Sequence, residues 1–214
     1  MSADKELKNS VMFGCRYLGS EIVKNIPRNW DISESFEATD YLLSSGRFDE
    51  LWHFSCVLPD SSKSERGYRD SLYHNLQITK RLIETCNTLG VKLIYASSKG
   101  SKHIKNPNSR QQLYNCVKWM SEDMIIEFSK DYLILEIPRV YSSNRPTGLI
   151  RTLRRNEFVG SMDSIVEFQD LSDFVLETST ISNTKKIHKY KHNLQKLTIK
   201  EIESKYILKR ISNV

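Results

Sequence analysis

What this 214-residue sequence lacks narrows its class first. Its four cysteines, Cys15, Cys56, Cys86 and Cys116, form no CxxC pair and stand at no zinc-ligand spacing from a histidine. No metal site is expected. So few thiols, in a chain long enough to bury a core without cross-links, read as reduced side chains in a reducing compartment. No run approaches 18 apolar residues, and the opening MSADKELKNS is charged rather than leader-like. The expectation is a cytoplasmic protein that meets no membrane. No internal repeat or low-complexity segment is present.

What is present is an ordinary globular composition, 39% hydrophobic and 27% charged. The formal net charge is +6, unevenly spread: between Asn183 and Val214 nine Lys and Arg face two Glu. Such a tail suits nucleic acid, an anionic small molecule or a solvated face. Only Tyr190 and Tyr206 interleave with its lysines, a poor stacking platform for single strands. Nucleic acid is the least favoured partner.

Apolar runs and helical spacings alternate along the chain. SVMFG (10–14) reads as a buried strand, LGSEIVKNI (18–26) as a helix and NWDIS (29–33) as a brief strand. A helix over 33–46 follows, with Ser33 as N-cap and Gly46 beyond its end. ELWHFSC (50–56) is a strand, 71–90 a long amphipathic helix stopped by Gly90, and VKLIYASS (91–98) a strand. A helix over 111–130 precedes YLILEIPRVY (132–141), another strand. This order predicts an α/β fold, a Rossmann-like doubly wound parallel sheet, with a small reduced C-terminal substrate lobe. Residues 1–142 form the expected core, with 165–180 returning to it; 143–164 and 181–214 form the lobe. Within those later parts, 147–156 and 198–210 read as helices, 164–179 as a strand leading into a helix, and KIHKYK as a strand.

Ligands of such sheets sit beyond the carboxyl ends of the strands. Three stretches belong there. In FGCRYLGS (13–20), Gly14 permits a tight turn and Gly19 close helix packing, while free helix amides suit a pyrophosphate; a plain strand–helix turn is the other reading. Ser97 and Ser98 end a strand, where serines also serve simply to form turns. Tyr114 and Lys118 lie four apart on one helical face, where an ammonium stabilises a phenolate or the two side chains merely pack.

That succession resembles the short-chain dehydrogenase/reductase superfamily, in particular its extended branch of nucleotide-sugar epimerases, dehydratases and reductases. VMFGCRYLGSEIVKNI is similar to the family's opening strand and glycine turn, WDIS to its acidic stretch, and DELWHFSCV to the strand that usually reads HLAA. YRDSLYHNLQITKRLIETCNTLGVKLIYASS resembles the following helix and strand, with Asn75 in place of a structural asparagine. YNCVK matches YxxxK, LEIPRVYS resembles LRPxNVYG, VEFQDLSDFV resembles FIHVDDVA, and LTIKEI a common late helix start.

The resemblance implies hydride transfer between a nicotinamide cofactor and a carbon of a sugar or nucleotide-sugar. Ser98 would bond the carbonyl oxygen, Tyr114 pass the proton, and Lys118 hold the nicotinamide ribose and favour the phenolate. The cofactor would be lined by Gly14, Arg16, Tyr17, Leu18, Gly19, Asp31, His53, Phe54, Ser55, Tyr114, Lys118 and Pro138. Arg145, Arg151 and Arg154, with Arg155, would grip a diphosphate. Family members often pair through two long helices, here 71–89 and 111–130, which leaves a homodimer open.

Four departures qualify this. Arg16 and Phe13 stand where glycine is usual. Residues 24–33 are too short for a second strand, loop and third strand, so the acid that accepts ribose hydroxyl bonds is missing. Ser98 and Tyr114 are only 16 residues apart. The substrate lobe is cut down. Arg16 and Arg28 would favour NADP over NAD. An enzyme of the reductase or epimerase type is therefore the leading expectation, reduction slightly ahead. A non-catalytic relative serving as scaffold or cofactor sensor is the alternative, and a nucleic-acid-associated protein the minor one.

Overall fold

The computed structural model describes residues 7–58, 65–105, 107, 109–145, 148–181 and 186–207. Strand β1 (Asn9–Phe13) leads through Gly14 into α1 (Tyr17–Asn25), then β2 (Asn29–Ser33), α2 (Phe36–Ser45) and β3 (Glu50–His53). The long helix α3 (Glu65–Leu89), β4 (Lys92–Ser98), α4 (Arg110–Phe128) and β5 (Tyr132–Ile137) follow. After them come β6 (Val140–Tyr141), α5 (Leu149–Arg154), β7 (Ile165–Asp170), α6 (Leu171–Ser179), β8 (Ile187–Lys189), β9 (Gln195–Thr198) and α7 (Ile199–Tyr206).

Six strands form one parallel sheet in the order β2-β1-β3-β4-β5-β8. Strands β1, β3, β4 and β5 are almost wholly buried, as continuous apolar runs must be when helices cover both faces. Edge strand β2 is mostly exposed. Among the described residues only β2 lies outside β1, so the second strand–loop–strand that 24–33 is too short to hold is a missing sheet position. The order reverses between β1 and β3, and the crevice at their carboxyl ends is the place where such sheets take ligands.

Beneath that crevice Val11, Phe13, Leu51, Leu82, Leu93, Tyr95, Ile125 and Ile134 form the core. Helix ends follow their local chemistry. Ser109 caps α4 by accepting from Gln112 N, and Gly90, at φ +71°, stops α3. The cap of α2 is Ser35, which accepts from Ala38 N. Ser33, the expected cap, is instead the buried last residue of β2, its hydroxyl given to the Ser35 carbonyl.

Two compact units result. One runs to Glu136 and takes in β8; the other comprises Ile137–Ile181 and the chain from Tyr190 onward. Segment 165–180, expected to return to the core, belongs to the second unit, because β7 pairs with β6 and β9. Strand β9 had no counterpart in the sequence reading. It sits antiparallel to β7 and turns directly into α7 through a capping box of Thr198 and Glu201. The second unit's own core is Tyr141, Ile150, Leu153, Val166, Phe168, Ile199, Ile202 and Tyr206.

Candidate active site

The crevice begins at Gly14. Its φ is +84°, and a Cβ there would lie 2.5 Å from Ser55 N and 2.7 Å from Ser55 Cα. Glycine is therefore required by conformation and by the neighbouring backbone. Gly14 N donates to the Ser33 carbonyl at 2.9 Å, and Phe54 N to the Phe13 carbonyl at 2.8 Å, so the ends of β1, β2 and β3 are tied together. Gly19 is buried, a Cβ there meeting the Gly14 carbonyl at 3.2 Å. Arg16 is exposed and caps α1 with its backbone only. No acid stands in the first turn, where Tyr17 and Leu18 are half-buried.

Beside this turn lies a cavity of about 460 Å³ lined by Phe13, Glu34, Ser35, Phe36, Glu37, Ser55, Val57, His74, Gln77, Ile78 and Arg81. Glu34 immediately follows β2. It brings a carboxylate to this cavity, for which the sequence offered no acid to accept ribose hydroxyl bonds. Asp31 does not reach this cavity. It lines a second, at the other end of the strands, with Asn9, Asn29, Trp30, Arg47 and Phe48. Arg28 is also at that amino end, bonded to Glu50 at 3.3 Å, so it is no candidate for a phosphate at the crevice.

The second half of the site lies between β4 and α4. Lys118 is 2% exposed; its Nζ donates to the Ala96 carbonyl at 2.6 Å and stands 4.5 Å from the Tyr95 ring and 5.7 Å from the Tyr114 ring. Burial pulls its pKa down, while Cys56 and Glu122 push it up. Tyr114 is half-buried, one turn before Lys118. Ser98, half-buried, ends β4 and accepts from Gly100 N at 3.2 Å.

The shortened link between Ser98 and Tyr114 is laid back along α4. Lys102 N donates to the Asn115 carbonyl at 3.3 Å, Cys116 Sγ approaches the Ile104 carbonyl at 3.5 Å, and the His103 and Trp119 rings meet at 4.9 Å. His53, at the end of β3, stacks on Phe13 with ring centroids 5.1 Å apart. Burial and Lys118 hold its pKa down at about 3. Phe54 stacks on Trp52 at 6.4 Å, while Ser55 lines the cavity. Asn75 behaves as a structural asparagine, accepting from Val57 N at 2.9 Å and donating to the Val57 carbonyl at 2.6 Å.

The remaining candidates belong to the second unit. Pro138 is buried just past β5. Arg145 lies 5.9 Å from the Tyr141 ring, Arg154 donates to the Ser143 carbonyl, and Arg151 is exposed on α5. The arginines thus divide between packing against the unit and facing solvent.

A family model described as the NAD dependent epimerase/dehydratase family matches residues 18–174. The chain belongs to that family. The matched span begins just beyond Gly14 and Arg16, where the turn departs most from glycine. No curated protein matches the sequence. Among solved structures, a dTDP-4-dehydrorhamnose reductase from Bacillus anthracis in complex with NADP aligns with TM-score 0.74 at 12% identity, over 96% of this chain and 81% of that one. The Bordetella bronchiseptica enzyme WbmG, in complex with NAD and UDP, gives 0.72 at 14%, over 95% and 79%. A Bacillus cereus UDP-glucuronic acid 4-epimerase variant with NAD and a fluorinated UDP-sugar gives 0.71 at 14%, over 96% and 83%. Likeness at these identities is likeness of fold. No described helix is long and apolar enough to cross a membrane.

Proposed function

We propose that this member of the family binds a nicotinamide dinucleotide at the β1/β3 crevice and acts on a nucleotide-linked sugar as a reductase or epimerase. The observation that carries the reading is Lys118, a buried ammonium next to Tyr114 and bonded to the strand that ends in Ser98. The cavity beside Gly14, at the start of a helix whose N-cap Arg16 makes no side-chain cap bond, fits a dinucleotide. Bound there, the nicotinamide would supply hydride chemistry. The chain's own residues do the rest: Ser98 Oγ donates to a substrate oxygen, Tyr114 Oη gives or takes its proton, and the Lys118 charge favours the anionic phenol. Arg145, Arg151 and Arg154 are the candidates for a substrate diphosphate.

For the choice of cofactor we infer NAD. Arg16, which suggested NADP, is exposed and absent from the cavity lining, whereas Glu34 and Glu37 are in it. A ribose hydroxyl can donate to a carboxylate; a 2′-phosphate is repelled by one. Arg81 is the counterweight in the same lining. Glu34→Ala should therefore narrow the difference between NADH and NADPH affinities by about tenfold, a change on the scale of one charged hydrogen bond.

The test is fluorescence transfer from tryptophan to NADH and NADPH, followed by turnover of UDP- and dTDP-linked keto-sugars. Binding with turnover that Tyr114→Phe abolishes supports the reading. Failure to bind either dinucleotide removes it. A second reading, a cofactor-sensing relative without turnover, is favoured by Phe13 and Arg16 standing where the family's turn carries glycine. Binding without turnover would select that one.

A further inference from the structure

Glu122 stands two turns beyond Tyr114 and one beyond Lys118 on α4. Its carboxylate accepts from Ser97 Oγ in β4, and the Ser101 side chain lowers its pKa as a donor to it. Those serines bracket Ser98. Within the bracket Ser101 N donates to the Ser98 carbonyl at 2.8 Å and Gly100 N to Ser98 Oγ. Ser97 is 2% exposed, so its hydroxyl is taken up by Glu122 while Ser98 remains the hydroxyl at the mouth of the strand. Successive side chains of a strand alternate between faces, and a slip of one residue would hand Glu122 the other serine.

The groups facing this carboxylate are few. Lys118 lies on its own helix, Glu136 on β5, Tyr95 on β4, with Ser97 and Ser101 as direct donors. Burial raises its pKa, the two serines lower it, Glu136 raises it and Lys118 lowers it.

We propose that Glu122 is a positioning residue: by accepting from Ser97 and Ser101 together it clamps the turn that carries Ser98 onto α4. The clamp does in this chain what a longer connection between Ser98 and Tyr114 would otherwise leave to the loop. The role in catalysis rests on reading Ser98, Tyr114 and Lys118 as the reacting set; the clamp itself does not.

The experiment compares wild type with Glu122→Ala, Glu122→Gln and Ser97→Ala, first without cofactor. Amide hydrogen exchange at Gly100, Ser101 and Lys102 should quicken about tenfold in Glu122→Ala, the loss of a charged acceptor. Exchange in β1 and β5 should not change. Glu122→Gln, which keeps an acceptor oxygen, should restore most of the protection, and Ser97→Ala should fall between. In turnover with NADH and a UDP- or dTDP-linked keto-sugar, Glu122→Ala should lower kcat at least about tenfold while KM stays within about twofold, with Glu122→Gln recovering most of kcat. Unchanged exchange at 100–102 in Glu122→Ala, or a Glu122→Gln as unprotected as Glu122→Ala, overturns the clamp. Loss of protection with unchanged kcat overturns the catalytic role. A wild type that binds no dinucleotide defeats the functional reading alone, since the exchange data still decide the clamp. If Glu122→Ala does not fold, Ser97→Ala paired with Ser101→Ala removes the same two bonds.

Discussion

Lys118 Nζ and the Ala96 carbonyl oxygen, 2.6 Å apart, join α4 to β4 at a depth where the lysine is 2% exposed. An ammonium so placed has lost most of its water and has a carbonyl and two ring faces beside it. Replacing it by methionine removes a desolvated charge but leaves the Ala96 carbonyl without that donor. These effects oppose each other, so Lys118→Met should change unfolding free energy by no more than about 1–2 kcal/mol while abolishing turnover. The pH dependence separates the effects. Burial depresses the lysine's folded pKa below its unfolded 10.5, so the unfolded chain holds more protons between those values and stability rises with pH there. Urea midpoints over that alkaline range should climb for wild type and stay flatter for Lys118→Met.

Gly14 offers a sharper steric test. Any side chain at φ +84° is strained, and a Cβ would collide with the Ser55 backbone, which cannot swing aside as a side-chain tip could. Gly14→Ala should lower stability by at least about 2 kcal/mol and weaken dinucleotide binding. Arg16→Gly, two residues on but exposed, should alter stability by less than about 0.5 kcal/mol. Thermal melts of the pair would check both, and equal losses would refute the argument.

This contrast also marks how far the sequence could be read. Gly14 was legible because a buried apolar run ended at it, and Tyr114 with Lys118 because helical spacing places them on one face. The same apolar runs gave the parallel sheet. Glu34 was not legible. The brief strand 29–33 was legible, but that the residue after it lines the cavity beside Gly14 depends on β2 pairing directly with β1. Asp31 was misplaced for a related reason, since periodicity says which face a residue takes but not which end of the sheet its neighbours line. The strand Gln195–Thr198 is short and half-buried, and only pairing with β7 makes it a strand. The Ser97–Glu122 bond spans 25 residues, beyond any local pattern.

His53 supplies an acid-limb prediction. It is buried, stacked on Phe13 and tilted against Tyr95 at 5.3 Å, and its Nδ1 has no hydrogen-bond partner among the described residues. With a folded pKa near 3, the native imidazole stays neutral while the unfolded one gains a proton below its ordinary 6.5. Stability is therefore lost as pH falls from 6.5 toward 3, by at most roughly 5 kcal/mol. His53→Phe, which keeps the stack, should flatten that part of the pH–stability curve. A curve parallel to wild type would show that other groups govern the acid limb.

Glu50 should behave in the opposite manner when its partners go. Its side chain has no exposure, and it accepts from Lys8 Nζ, Arg28 Nε at 3.3 Å, Trp52 Nε1 at 3.0 Å and Ser10 Oγ at 3.4 Å. Burial alone would raise its pKa, but Lys8, Trp52 and Arg28 together hold it below the usual carboxylate value. Its contribution is thus present above the unfolded pKa near 4.5 and lost as pH falls through the lower folded value. Glu50→Gln removes the charge and leaves Lys8 and Arg28, 35% and 23% exposed, free to turn toward water, at a cost of about 1 kcal/mol. The double variant Lys8→Ala/Arg28→Ala instead strands a carboxylate in the interior and should lose about 3–5 kcal/mol at neutral pH. Unopposed burial would then lift the Glu50 pKa above 4.5, so the folded chain would bind the extra proton and the deficit should shrink on acidification. Urea unfolding at neutral pH and at about pH 5 would show the asymmetry, and a deficit that grew toward acid would contradict it.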